Sequence, residues 1–237
     1  ISDEHRFVFV HIPKCAGTSV RGPLTHLNEW QLTGPPWLRK HSELGWLDYA
    51  HIPLFVLRKH FTSEFEAIQD YWSFCVVRNP FDRFASSVSQ RLKGFSDQPI
   101  HKRSTKEIRS FIRETIEYLS RHEQEHFLLP PEYIHFQRQV DFIQLDGERI
   151  IDNIYTIDQI SELRADFKRK LGQNLGETST QASNSPANQT VTFRNELFRR
   201  VIETLRPLTN HWSELLPESV KQRIRDRVYV PRDQRLR

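Results

Sequence analysis

Phe7-Val8-Phe9-Val10-His11-Ile12-Pro13-Lys14-Cys15-Ala16-Gly17-Thr18-Ser19-Val20 is the stretch on which the fold turns. Its first four residues are apolar and β-forming, and they read as a short buried strand. The turn that follows holds Pro13, Lys14 and Gly17, and the hydroxyl pair Thr18 and Ser19 stands where a helix would begin. A strand feeding such a turn into a helix aims backbone N–H groups and the positive end of the helix dipole at one point, which suits an anion. Lys14 adds a full positive charge and the hydroxyls add donors. The plain alternative is a strand and turn that bind nothing.

A second unit of the same kind starts at Trp72. Trp72 to Val77 is another apolar strand, and it ends at Arg78-Asn79-Pro80. Asn79 suits an N-cap and Pro80 the first helical position. Phe81, Phe84, Ala85, Val88 and Leu92 then recur at helical spacing up to Gly94, which reads as the stop. Arg78 offers a planar fork that can donate two charge-assisted hydrogen bonds to a phosphate. Ser86 follows eight residues later, two turns into the helix, where one phosphate could touch both. Without a ligand, Arg78 would cap a carbonyl or pair with Asp82, and Ser86 would fill a small gap.

The lysine precedes the glycine in the first loop, and no earlier glycine opens it, so the NTPase order G-x-x-x-x-G-K-[ST] is absent. Pro13-Lys14 with Gly17-Thr18-Ser19 instead resembles the 5'-phosphosulfate loop of sulfotransferases, which take a sulfuryl group from 3'-phosphoadenosine 5'-phosphosulfate (PAPS). His11-Ile12-Pro13-Lys14 is similar to the carbohydrate branch, of heparan/chondroitin and bacterial family 2 type. Arg78 with Ser86 resembles the segment that holds the 3'-phosphate in those enzymes. The resemblance implies an α/β, three-layer, P-loop-like fold with a central, mainly parallel sheet flanked by helices. It implies that Lys14, Cys15, Ala16, Gly17, Thr18 and Ser19 hold the 5' end of PAPS, that Arg78 and Ser86 hold its 3' end, and that Lys14 also acts in catalysis. No metal is implied. The resemblance implies a hydroxyl-bearing acceptor, a carbohydrate, with room for an anionic one.

Between the two motifs, His51-Ile52-Pro53 is similar to the segment that supplies the catalytic base in that superfamily. A histidine suits the task, because a base with a near-neutral pKa can accept the proton of an attacking hydroxyl. His41 after Lys40 and His60 after Lys59 are rivals, since bacterial relatives carry a Lys-His pair here. Two further readings from other classes stay open at this point. One is a P-loop-like kinase or NTPase; the other is a non-catalytic module that binds nucleotide or polyanion through a basic surface.

A chain of 237 residues supports one α/β domain over 1–237 and is short for two. The formal charge of +4 fits an anionic nucleotide, and Lys221 to Arg237 carries much of the surplus. No nucleic-acid partner is expected, and no apolar run approaches a membrane span. Cys15 and Cys75 read as free thiols, which leans toward a reducing compartment such as a bacterial cytoplasm. A Golgi-lumenal or secreted domain with its anchor upstream is the alternative.

Elsewhere the pattern predicts an irregular insertion over 21–50, with Gly22-Pro23 interrupting the first helix and Trp30, Trp37 and Trp46 packed on the core or flooring an acceptor pocket. Ser104-x-x-Glu107 opens a long amphipathic helix. Phe142 to Leu145, the Asp146-Gly147 turn and Ile150 to Ile157 suggest a hairpin or two strands, and Ser161 to Leu171 a helix stopped by Gly172. Residues 173–192 read as a mobile loop, in which relatives place an asparagine against the nucleotide; Asn184 and Asn188 are the candidates. Helices are expected over 194–205 and 208–216, and Val228-Tyr229-Val230 with Asp233 is similar to the ending of the bacterial family.

Overall fold

The computed structural model describes residues 1–24, 27, 36–94 and 103–175. Its centre is a three-stranded parallel sheet in the order β1 (Phe7–Val10), β4 (Trp72–Val77), β7 (Asn153–Thr156). Between β1 and β4 come helix α1 (Gly17–Leu24), the hairpin β2 (Leu38–His41) and β3 (Gly45–Asp48), and helices α2 (Leu54–His60) and α3 (Thr62–Asp70). Helices α4 (Pro80–Gly94) and α5 (Thr105–Arg121) follow β4, then a small hairpin of β5 (Gln144–Leu145) and β6 (Glu148–Arg149), and α6 (Ile160–Leu171) closes the described part.

The near-continuous apolar runs of β1 and β4 follow from cover on both faces of the sheet. Alternate residues point to opposite sides. Val8, Val10 and Cys75 therefore join Leu54, Val56, Leu57, Phe65 and Ile68 of α2 and α3. Phe7, Phe74, Val76 and Tyr155 pack on the other side against Val20 and Leu24 of α1 and Leu163 and Phe167 of α6. Phe7 and Phe167 meet edge to face at 5.3 Å, and deleting either ring would cost about 3–5 kcal/mol. The α/β fold with a parallel sheet between helices is thus the one expected from the sequence.

The local signals acted largely as expected. Asn79 Oδ1 accepts the Phe81 and Asp82 N–H groups at 3.0 and 3.4 Å, so Pro80 does open α4. Ser104 and Glu107 form a reciprocal capping box at the head of α5. Gly172 ends α6 at φ 65°, a conformation that suits a residue without Cβ. Asp146-Gly147 turns the β5–β6 hairpin, while β7 pairs instead with β4 in the main sheet.

Two expectations are corrected. Helix α1 runs through Gly22 and Pro23 to Leu24. Pro23 removes one hydrogen bond in the last turn, and burial of Val20 and Leu24 against the sheet holds that turn in place. The segment before His51 is not irregular throughout, because Leu38–His41 and Gly45–Asp48 form an antiparallel ribbon. Trp37 immediately precedes that ribbon and Trp46 lies within it, and both are exposed rather than core. The expectations for Trp30, Asn184, Asn188, the loop at 173–192 beyond Leu175, the helices over 194–205 and 208–216 and the basic C-terminal cluster lie outside the described residues.

Candidate active site

Parallel pairing puts the carboxyl ends of β1 and β4 side by side, with Val10 opposite Cys75. The two turns singled out in the sequence therefore leave neighbouring strands at the same end of the sheet, about 4.8 Å apart at the backbone. A crevice at that end is where open α/β sheets bind ligands.

Three side chains tie the turns together. Gln139 Nε2 donates to the Arg78 carbonyl at 3.0 Å, and Gln139 Oε1 accepts the Arg78 N–H at 2.9 Å and the Cys15 thiol at 3.1 Å. Arg83 of α4 is buried, and its Nε donates to the Pro13 carbonyl at 2.9 Å while its other end donates to the Gln137 carbonyl at 2.6 Å. Lys14 Nζ reaches Gln90 Oε1 of α4 at 3.3 Å. Gln90 sits one helical turn beyond Ser86, so Lys14 of the first motif and Ser86 of the second are brought to the same stretch of α4.

The first turn has the backbone of an anion cradle. Lys14 and Ala16 adopt positive φ, 66° and 60°, on either side of Cys15. Left-handed residues without glycine cost on the order of 1–3 kcal/mol each, and such alternation turns successive N–H groups into a concavity for an anion. The Cys15 and Ser19 N–H groups are already bonded to the Ile12 and Ala16 carbonyls, at 3.4 and 2.9 Å. The Ala16, Gly17 and Thr18 amides stand at the head of α1. Cys15 packs inward, its thiol pKa raised by burial, and Cys75 is likewise a buried free thiol. Thr18 is exposed, Ser19 and Arg78 are half-buried and Ser86 is buried on α4.

Gly17 is a glycine because His11 leaves no room. A Cβ there would stand 1.9 Å from the His11 imidazole. That ring meets His51 at 4.7 Å between centroids, and His51 meets His135 at 5.2 Å. His51 Nδ1 lies 2.9 Å from Asp48 Oδ2. With the carboxylate accepting, the proton resides on Nδ1 and Nε2 is left as the basic nitrogen. Burial pushes the Asp48 carboxyl up, but its bonds to His51 and to the Ala50 N–H outweigh this and hold it below the ordinary range. Burial, with the His51 charge beside them, lowers both His11 and His135 to about 3. Both are therefore neutral at physiological pH.

The rival histidines stand together elsewhere on the ribbon and α2. His41 and His60 contact each other at 5.4 Å, His41 Nδ1 accepts the Glu43 and Leu44 N–H groups, and His60 Nδ1 is 3.5 Å from Glu43. Neither makes a ring contact with His11, His51 or His135 among the described residues. Asp48, His135, Arg83 and Gln139 escaped the sequence reading. Only Asp48-Tyr49-Ala50-His51 carried a usable signal, an aspartate placed to turn the chain onto a histidine three residues on. Ligand atoms of Asp48, His51 and His135 also lie within 4.8 Å of one another, a spacing at which a divalent cation could be held.

A model of the sulfotransferase family matches residues 1–229. The chain belongs to that family. No curated protein and no solved structure matches it. As a sulfotransferase, the protein is a transferase of sulfuryl groups, and its parallel sheet between helices is consistent with the P-loop-like fold of such enzymes. No helix among the described residues of this sulfotransferase is long and apolar enough to cross a membrane.

Proposed function

We propose that the protein transfers the sulfuryl group of PAPS to an acceptor hydroxyl on a carbohydrate by in-line displacement. The observation that carries this reading is the tying of the two strand-end turns by Gln139 and Arg83, with the Asp48–His51 pair beside the first of them. One nucleotide with phosphates at both ends would span such turns. PAPS supplies an activated sulfuryl group on its 5' side and a 3'-phosphate that distinguishes it from ordinary adenine nucleotides.

In this reading the Ala16, Gly17 and Thr18 amides, with the Thr18 and Ser19 hydroxyls, hold the 5'-phosphate. Lys14 balances the charge that grows on the departing phosphate oxygen. Arg78 and Ser86 hold the 3'-phosphate. Nε2 of His51 takes the proton of the acceptor hydroxyl as its oxygen bonds to sulfur and the sulfur–phosphate oxygen bond breaks. Asp48 keeps that imidazole in the tautomer that can accept the proton and stabilises the imidazolium formed. The transfer calls for position and charge stabilisation rather than for a metal.

Thermal unfolding with the product nucleotide, adenosine 3',5'-bisphosphate (PAP), tests the donor assignment. PAP should raise the melting temperature more than AMP or ATP at equal concentration, and Arg78→Ala should abolish the difference. Equal shifts from all three nucleotides would refute the roles given to Arg78 and Ser86. Lys14→Ala should remove turnover while the protein still folds.

A further inference from the structure

The pocket beside the first turn brings one carboxylate and two imidazoles together from separate places in the chain. Asp48 closes β3, and its Oδ1 accepts the Ala50 N–H at 2.9 Å while its Oδ2 lies 2.9 Å from His51 Nδ1. His135 comes from the short 3-10 turn Ile134–Phe136, and its ring meets that of His51 edge to face at 5.2 Å. The buried Ser87 hydroxyl of α4 holds this turn by donating to the His135 carbonyl at 2.7 Å. The three residues offer ligand atoms that lie within 4.8 Å of one another. His135 Nδ1 is buried and, among the described residues, has no hydrogen-bond partner. A buried ring nitrogen in that state calls for an explanation, and the sulfuryl transfer makes no use of it.

Donor chemistry decides what fits there. Two imidazoles and one carboxylate are a set that holds Zn2+ with a further position left to water, whereas Mg2+ and Ca2+ take oxygen ligands. Bonds of about 2.0–2.2 Å put two ligands of one Zn2+ roughly 3.0–3.5 Å apart, so His51 Nδ1 and Asp48 Oδ2 already stand close to that spacing. The site closes by a turn of the His135 ring, whose last torsion is broad and whose Nδ1 has no hydrogen bond to break. Lys14 and Arg83 lie near enough for their charges to act on His135, which disfavours an ion held by charge alone and leaves one that bonds to nitrogen. The His51 and Asp48 side chains are 11% and 15% exposed, so an ion has a way in.

We propose that Asp48, His51 and His135 form a Zn2+ site, and that its occupancy switches the enzyme off. The site rests on the geometry, and the switch rests on the reading of His51 as the base. A neutral imidazole carries one ring proton and one basic lone pair. Zn2+ on Nε2 of His51 takes that lone pair directly. Zn2+ on Nδ1 leaves the ring proton on Nε2, which then donates and no longer accepts. Either way the acceptor hydroxyl has no base, and removal of the ion restores it. The metal is a reversible inhibitor and takes no part in the transfer.

The test titrates ZnCl2 into the metal-free protein by calorimetry, without nucleotide, with MgCl2 in parallel and CoCl2 followed by its visible absorption. Wild type should bind Zn2+ and develop a Co2+ band, and Mg2+ should not bind. His135→Gln and, separately, Asp48→Asn should each weaken Zn2+ binding about tenfold or more and lose the band, with circular dichroism showing that each variant is folded. The double variant His41→Ala, His60→Ala, which removes the other histidine pair, should bind Zn2+ as wild type does. Diethyl pyrocarbonate, which acylates an imidazole through a free lone pair, reads the switch without any acceptor: Zn2+ should slow its reaction at His51 about tenfold or more. With PAPS saturating and a uronate-containing hexasaccharide as acceptor, Zn2+ should cut wild-type turnover about 100-fold, and EDTA should restore it. Equal Zn2+ affinity in wild type and both variants would overturn the site, and zinc that still stopped turnover would then act elsewhere, leaving the base assignment untouched. Unchanged acylation of His51 in the zinc-loaded protein would overturn the switch. Zn2+ bound as expected, with turnover undiminished or raised, would overturn the switch and count against His51 as the base.

Discussion

Gln139 grips the backbone of Arg78 from both sides, its Nε2 donating to the Arg78 carbonyl at 3.0 Å and its Oε1 accepting the Arg78 N–H at 2.9 Å. The same oxygen takes the Cys15 thiol at 3.1 Å, so one buried amide bridges the two strand-end turns. Gln139→Leu would leave the half-buried Arg78 backbone groups without these partners, and each costs up to about 1–3 kcal/mol. We expect urea unfolding to show a loss of about 2–4 kcal/mol. PAP affinity should fall by at least tenfold, because both of its phosphates lose their spacing. A stable variant with unaltered PAP binding would show that Gln139 does not align the turns.

The bond between Asp48 and His51 gives a kinetic prediction. Asp48→Asn keeps the shape but presents an amide that can donate to Nδ1 and so favour the wrong tautomer. Turnover should fall about 100-fold or more, the scale of a lost general base. The melting shift given by PAP should stay intact, since no phosphate contact changes. His51→Ala should be at least as damaging, while His41→Ala and His60→Ala should remain close to wild type. An active His51→Ala variant would move the base to one of those two.

Gly17→Ala drives a methyl group into the His11 ring, at 1.9 Å from its nearest atoms in the present arrangement. His11 must then move, and it is in contact with His51. We expect activity to drop steeply in the single variant and to recover in part when His11→Ala makes room. Comparing the four proteins of that double-mutant cycle isolates the clash. Additive losses would mean that the glycine serves the anion cradle alone.

Stability should weaken in mild acid. His11 and His135 have folded-state pKa values of about 3, below the ordinary 6.5. As pH falls through 6.5 the unfolded chain binds protons that the folded one refuses until about pH 3. The contribution of these two rings is therefore complete above pH 6.5 and is lost between there and pH 3, at up to ~1.4 kcal/mol per pH unit for each. Urea unfolding at pH 7, 6 and 5 measures the slope. His135→Gln, which removes one of the two titrating rings, should make it shallower by about one proton.

Much of the architecture was legible because it depends on short-range chemistry. Phe7 to Val10 and Trp72 to Val77 announce buried strands by their apolar runs, and Asn79-Pro80, Ser104 with Glu107, and Gly172 mark helix ends through bonds made within four residues. The ribbon before His51 was not legible. Its pairing joins Leu38 to Asp48 across a turn without the usual short hairpin signature, and half of its residues face solvent rather than core. Pro23 misled for a related reason: tertiary burial of Leu24 outweighs the loss of one local hydrogen bond.

The order of residues alone determined that two strand-turn-helix units exist, that each carries a cation at its turn and hydroxyl groups in the turn or the helix after it, and that the chain resembles the sulfotransferases. Those features depend on neighbours a few positions apart, where the chain's own connectivity supplies the proximity. Only the tertiary structure decided that Gln139 and Arg83 join the turns, and that Asp48 bonds to His51 while His41 and His60 stand together elsewhere. These pairings span from 3 to 124 positions. Whether such groups meet depends on how strands and helices pack, which no local spacing encodes.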